Sequence, residues 1–202
     1  MTTINAYLSK WQQIPMAVKQ FLIKGVIMLA LWKIIYLGFL FPGRIIDAPL
    51  TNAVGKLTVW GLNIVTHPND YYSKEELGRE LDIDASARSV MQRSVYFEGR
   101  KVAGVYDSCN ALELMVLYAG FIICIPASAK RKWIFITGGL AIVFIVNVLR
   151  CIGVVYAIRY YPQHAEFIHH YLFELVVYAT IIALWMVFAN KINIKSNAEK
   201  QA

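Results

Sequence analysis

The chain has 202 residues, 58% of them apolar and 16% charged, and a formal net charge of +7. Its apolar residues fall into several runs of about twenty, the length of a helix that crosses a bilayer core about 30 Å thick. This composition excludes an ordinary soluble globular protein. It also argues against a nucleic-acid-binding protein, because the lysines and arginines lie beside the apolar runs rather than on a soluble basic face.

The first apolar run, Phe21 to Phe41, predicts a membrane span that runs from inside to outside. It is too long for the apolar region of a signal peptide, it contains Lys33, and no small-x-small cleavage site follows it. Residues 1–20 predict an amphipathic cytoplasmic lead-in to this span.

The next segment, Pro49 to Thr66, predicts an amphipathic helix. Its apolar residues recur at helical spacing: Leu50, Val54, Leu57, Gly61 and Ile64. We expect this helix to lie on the outer membrane surface, because a crossing here would reverse the charge pattern of the later spans. An additional span with an inverted amino terminus is the alternative.

Residues 67–107 form the one sizeable polar segment and predict an extracytoplasmic insertion in a single membrane domain covering residues 1–202. Ser73 followed by Glu76 has the spacing of a capping box and predicts a short helix. The stretch after it predicts a β-hairpin that turns at Glu98 and Gly99.

Three further apolar runs follow, Cys109 to Pro126, Trp133 to Tyr156 and Ile168 to Ala189. The basic cluster Lys130–Lys132 separates the first two and indicates a cytoplasmic loop, which places Cys109 at the outer end of its span. The fold class predicted for the chain is therefore an all-α integral membrane protein, a polytopic helical bundle of about four to five spans. Its small extracytoplasmic segment is predicted to contain the short helix and the β-hairpin.

Three chemically active side chains are predicted to lie at one depth. Counted from the cytoplasmic ends of their spans at 1.5 Å per residue, Cys109, Arg150 and His169 all lie roughly 26–33 Å above the inner surface. A thiolate is a nucleophile, an imidazole can carry its proton, and a guanidinium can stabilise an oxyanion. Together they are the parts needed for acyl transfer by a cysteine.

Other interpretations of these residues stay open. A single cysteine is often a small packing residue, an arginine near a span end can extend to the interface, and histidines are ordinary interfacial residues. A Cys109–Cys151 disulfide is an alternative to a free thiol. One Cys and one His with an Arg between them is a poor zinc site, so neither a metal nor a cofactor is expected.

The segments "DSCNALELMVLYAGFIICIP", "NVLRCIGVVY" and "HHYLFELVVYATIIALWMVFANK" resemble the exosortase/archaeosortase family, and its short bacterial members most closely. The resemblance runs from about Gly99 to Lys191. It implies that Cys109 is the nucleophile and that Arg150 and His169 complete a triad. His169 is chosen because Phe173 follows four residues later, and His170 is the alternate.

Two neighbours of Cys109 are candidate supporting residues. Asn110 follows the cysteine, as in many short family members. Glu113 lies one helical turn after Cys109, where it can orient Arg150.

The resemblance implies a membrane-embedded cysteine transpeptidase or protease of the bacterial inner membrane, with its active site at the extracytoplasmic face. Its partners would be the lipid bilayer and exported proteins carrying a C-terminal sorting signal, which consists of a short motif, a transmembrane helix and a basic tail. Cleavage would pass through a thioester acyl-enzyme. The alternative function is a non-enzymatic membrane scaffold subunit of an export or polysaccharide system.

Overall fold

The fold is given by a computed structural model that describes residues 15–81 and 87–201. The predicted lead-in falls mostly on residues 1–14, outside the described residues. The helices longer than five residues are α1 Met16–Ile35, α2 Asp47–Val65, α3 Leu112–Cys124, α4 Ala129–Tyr160 and α5 Phe173–Gln201. The strands are β1 Tyr71–Leu81, β2 Ala87–Phe97 and β3 Arg100–Val105. Shorter turns join these elements: π-helical Tyr36–Leu40, α-helical Phe41–Gly43, 3-10 Asp107–Cys109, α-helical Ala165–Phe167 and π-helical Ile168–Leu172.

Three of the described helical segments are long and apolar enough to cross a membrane: Val18–Gly43, Ala129–Tyr160 and Phe173–Lys191. The remaining predicted span, Cys109 to Pro126, corresponds to α3. This apolar helix has 13 residues and is only about 20 Å long. The number of spans therefore stays a prediction. By contrast α4 has 32 residues and is about 48 Å long, more than a bilayer core requires. Its C-terminal part packs against the polar segment of the chain.

The predicted short helix at Ser73 is wrong, since residues 71–81 form strand β1. The three strands make an antiparallel sheet in the order β1-β2-β3. In β1 the side chains alternate between two faces, and Glu76 bonds across the sheet to Ser94, Tyr96 and Lys101. These partners come from other strands, so the local capping-box spacing did not reveal them.

The predicted hairpin is confirmed. Strands β2 and β3 pair antiparallel, with Phe97 opposite Arg100. The two turn residues, Glu98 and Gly99, have φ of 47° and 79°, the left-handed conformations that a two-residue hairpin turn uses.

Helix α2 is confirmed as a helix, but the residues of its predicted apolar face do not share one environment, since Val54 and Gly61 are buried and Leu57 and Ile64 are exposed. Polar residues Asp47, Thr51 and Thr58 are buried, while Trp60 and Ile64 are 65% and 62% exposed. The inward side of α2 therefore carries polar residues as well as Val54 and Leu62. Its outer side exposes Trp60 and Ile64 together with Lys56.

The described residues form two apolar cores. One joins α2, the sheet and the C-terminal half of α4, and includes Val54, Val95 and Val155. The other joins α3, the N-terminal half of α4 and α5, and includes Tyr118 and Val143. The segment from Asp107 to Ala111 links β3 to α3 and thus passes between the two cores.

Candidate active site

Cys109 lies in the 3-10 turn between β3 and α3, half-buried against the first core. Its N–H donates to the carbonyl of Tyr106 at 2.9 Å, and the N–H of Asn110 donates to the carbonyl of Asp107 at 3.2 Å. The sequence predicts Cys109 as the first residue of its span. The helix instead begins three residues later, because Ala111 has a left-handed φ of 62°. The influence of the helix dipole on the thiol is correspondingly smaller.

Asp107 fixes the start of this turn. Its carboxylate accepts from Nε and Nη2 of Arg44, each at 2.7 Å, and from Oγ1 of Thr51 at 2.7 Å. The hydrogen bond from Arg44 to Asp107 raises the pKa of this guanidinium above its ordinary value. Arg44 also donates to the carbonyl of Met91 in β2. The fork geometry therefore ties the Cys109 turn both to the end of the first span and to the sheet.

Asn110 anchors the other side of the turn. It is 1% exposed and donates to Oδ1 of Asp47 at 2.9 Å, while its own side-chain oxygen accepts from the N–H of Leu112 at 2.8 Å. Tyr36 donates to the same Asp47 carboxylate at 3.1 Å. Asn110 thus caps the first turn of α3 and holds the turn on α2.

Arg150 and Cys109 meet through Asn147 of α4. The amide of Asn147 donates to the carbonyl of Cys109 at 2.8 Å and accepts from Nη1 of Arg150 at 3.4 Å. Arg150 is half-buried, and its Nε is buried without a hydrogen-bond partner among the described residues. The guanidinium therefore keeps donors that Asn147 does not use.

Cys151 lies at the same place, with Sγ 4.0 Å from the carbonyl oxygen of Cys109. Both thiols are free, so the disulfide alternative is not formed in this structure. Cys124, the third cysteine, is buried in the distant α3.

His169 lies in the π-helical turn before α5 and is half-buried. Four residues later, Phe173 packs directly over Gly153 of α4, where any added Cβ would clash with its ring. Gly153 is one turn beyond Arg150 on α4, so the start of α5 is held against the part of α4 that carries Arg150. The side chain of His170 lies outside the described part of the chain, and the choice between the two histidines stays a prediction.

Glu113 is engaged elsewhere. Its carboxylate pairs with Nζ of Lys33 at 2.6 Å, and the two side chains are 65% and 53% exposed. This pair joins α3 to α1. The sequence predicts that Glu113 orients Arg150, but in the structure Glu113 pairs with Lys33 instead.

Several residues of the site were not among the predicted ones: Arg44, Asp47, Thr51 and Asn147. The sequence contained a signal for Asn147. Burying an amide inside an apolar span costs free energy unless the amide is hydrogen-bonded, and Asn147 lies three residues before Arg150 on the same helical face. The α2 residues had none, because their partners are about sixty residues away. Among the described residues, no three His, Cys, Asp or Glu side chains come together as a metal site would require.

A family model described as transmembrane exosortase matches residues 16–187. The chain belongs to the transmembrane exosortase family. The match extends well before Gly99, where the resemblance in the sequence began, and takes in α1, α2 and the sheet. Comparison with characterised proteins and with solved structures gave no significant match. Exosortases are, in general terms, membrane-embedded sorting transpeptidases, which fits an integral membrane protein with three long apolar helices.

Proposed function

We propose that this exosortase cleaves exported proteins at a C-terminal sorting signal, with Cys109 as the nucleophile of a thioester intermediate. One observation carries the proposal. The side chain of Asn147 binds both the backbone carbonyl of Cys109 and the guanidinium of Arg150, so that the backbone of the cysteine and the cation belong to one hydrogen-bonded unit. A thiol near a cation is favoured as thiolate, the reactive form.

The side chains of Cys109 and His169 suffice for the following sequence of bond changes. The imidazole of His169 accepts the thiol proton, and the thiolate of Cys109 attacks the carbonyl carbon of the scissile peptide bond. Collapse of the tetrahedral intermediate breaks the C–N bond, and the imidazolium returns its proton to the leaving amine. The resulting thioester is then attacked by water or by an acceptor amine, which releases the product and restores the thiol.

Arg150 stabilises the oxyanion of the tetrahedral intermediate. A guanidinium presents five N–H donors in a planar fork, and Asn147 uses one of its terminal nitrogens. The remaining donors are available to the developing charge. An oxyanion donor of this kind contributes about 3–4 kcal/mol to catalysis.

The site is proposed to face the extracytoplasmic side of the bacterial inner membrane. The cluster Lys130–Lys132 at the start of α4 favours a cytoplasmic position, and Arg150 lies some twenty residues further along that helix. Exposed Trp60 and Ile64 on α2 suit an interfacial helix, as tryptophan is typical of membrane–water boundaries. A substrate anchored by its own transmembrane helix would present its cleavage motif at this level.

The test is processing of a co-expressed exported protein from the same genome that ends in a motif, a transmembrane helix and a basic tail. We expect Cys109→Ala and Cys109→Ser to abolish cleavage at unchanged enzyme abundance. Cys124→Ala changes the buried cysteine at the far end of α3; it is the matched control and should cleave normally. His169→Ala and His170→Ala, compared side by side, identify the general base. Full processing by Cys109→Ala would leave the scaffold function as the better account.

A further inference from the structure

Asn147 is a polar side chain with 0% exposure in the middle of α4. Burying an amide costs free energy unless its donors and acceptor are bonded. Here the acceptor and one donor are used, by Arg150 and by Cys109. A carbonyl only accepts and a guanidinium only donates, so one orientation of the amide satisfies both partners.

The partners of Asn147 are the Arg150 guanidinium and the backbone carbonyl of Cys109, the residue that carries the proposed nucleophile. Asn147 and Arg150 are three residues apart on α4, and Cys151 is four residues from Asn147, so all three side chains lie towards one face of the helix. This face meets the Cys109 turn, as the contact between Cys151 and the Cys109 carbonyl also indicates. The two bonds of Asn147 therefore join α4 to the nucleophile turn at the level of the guanidinium.

We propose that Asn147 is a positioning residue that holds the Arg150 guanidinium against the Cys109 turn and thereby promotes thiolate formation at Cys109. The inference rests on the proposed function for its catalytic meaning. Its physical content, a thiol whose reactivity depends on an asparagine acting through an arginine, can be measured without a substrate.

The other charged groups near the turn are held by partners of their own. Asp107, on the turn itself, is paired with Arg44, and Asp47 of α2 binds Asn110 and Tyr36. Glu113 at the start of α3 is paired with Lys33. From α4, the Cys151 thiol contacts the turn and Arg150 reaches it through Asn147. The proposed reaction adds the imidazole of His169, which precedes α5. Asn147 is neutral, so replacing it by a neutral residue leaves this set of charges unchanged.

The experiment is the pH dependence of Cys109 alkylation by iodoacetamide, followed at peptide level by mass spectrometry on the purified full chain in lipid nanodiscs. Asn147→Leu keeps the size and removes both hydrogen bonds. We expect it to move the midpoint of alkylation to higher pH and to slow the reaction at pH 7 about tenfold, because a cation no longer held near a thiol stabilises the thiolate less. Should the leucine variant fail to accumulate, Asn147→Ser gives the same test.

Asn63 provides a matched control. It too bridges two groups with one amide, donating to the carbonyl of Tyr71 and accepting from its N–H, both at 2.9 Å. Asn63→Leu therefore removes a comparable pair of bonds between α2 and β1. We expect it to lower thermal stability while leaving the Cys109 alkylation midpoint in place.

A double variant separates positioning from packing. In an Arg150→Gln background the midpoint should already be raised, and adding Asn147→Leu should raise it no further. A second shift of the same size there, or no shift in either Asn147 variant, would overturn the proposal. If the shift occurs while the wild type cleaves no sorting signal, the positioning role stands and the proposed function fails. If the wild type cleaves a sorting signal and both Asn147 variants have the wild-type alkylation midpoint, the proposed function stands and the positioning role fails.

Discussion

Replacing Asp107 by Asn should loosen the nucleophile turn without changing its size. The carboxylate accepts three hydrogen bonds of 2.7 Å, two of them from Arg44, and the Asp107 and Arg44 side chains are only 11% and 23% exposed. Breaking a fully buried ion pair by removing one charge costs about 3–5 kcal/mol. Because Arg44 is partly solvated and an amide still accepts one bond, we expect a cost of about 2–3 kcal/mol.

The assay is hydrogen–deuterium exchange of the amides of Cys109 and Asn110, which are bonded within the turn. A cost of 2–3 kcal/mol corresponds to exchange roughly 30 to 150 times faster. Glu113→Gln is the matched control, since its bond to Lys33 is equally short but highly exposed. An exposed pair contributes about 1 kcal/mol or less, so exchange there should rise at most a few-fold. Equal effects of the two substitutions, or unchanged exchange in Asp107→Asn, would refute the role given to the buried fork.

Three further predictions follow from the same structure. Arg150→Lys should lower cleavage about a hundredfold at equal abundance, since lysine lacks the planar fork whose fixed donors bind Asn147 and the oxyanion from different nitrogens. Wild-type cleavage by this variant would reduce Arg150 to an interfacial anchor. With the native cysteines removed, a membrane-impermeant maleimide should label Gln163→Cys in intact cells and Arg131→Cys only after permeabilisation; the opposite pattern would put the site on the cytoplasmic face. Hydrogen bonds from Lys101, Ser94 and Tyr96 lower the pKa of Glu76 from 4.5 to about 2. The stabilisation it gives is therefore complete above about pH 5 and is lost as pH falls towards 2, so the melting temperatures of wild type and Glu76→Gln should converge over that range and should not differ by a constant amount.

The long helices could be predicted because their signal is local. An uninterrupted apolar run of sufficient length has few alternatives to a membrane helix, and α1, α4 and α5 all lie where such runs occur. The hairpin could be predicted from an equally local signal, the pair Glu98-Gly99 between two strand-like stretches. Both residues have positive φ in the structure, as a two-residue hairpin turn requires.

Strand β1 could not be predicted in this way. The stretch around Glu76 favours a helix start by spacing alone, but its carboxylate is bonded by residues of β2 and β3, up to 25 positions away. The residues that α2 buries could not be predicted for a related reason. Its polar residues bind Asp107, Asn110 and Arg93, about forty to sixty positions away, whereas Trp60 and Ile64 face outwards.

The catalytic residues of the candidate site stay a prediction from the sequence, and the geometry around them could not be predicted from it. Depth counting brought Cys109 and Arg150 to one level, and the structure connects them, but through an asparagine that the counting did not consider. The sequence predicts Asn110 only as a supporting neighbour of Cys109. In the structure its amide binds Asp47 and holds the turn on α2. Such roles depend on which side chain reaches which partner, and only the folded chain determines that.

The most direct measurement of the central claim is the intact mass of the enzyme during turnover. After rapid acid quenching with a sorting-signal substrate, Cys109 should carry the N-terminal part of that substrate as an adduct that hydroxylamine removes, as expected of a thioester acyl-enzyme. The adduct should be absent from Cys109→Ala and present in Cys124→Ala. Cleavage that proceeds without any adduct on Cys109, or an adduct that persists in Cys109→Ala, would contradict the assignment of Cys109 as the nucleophile.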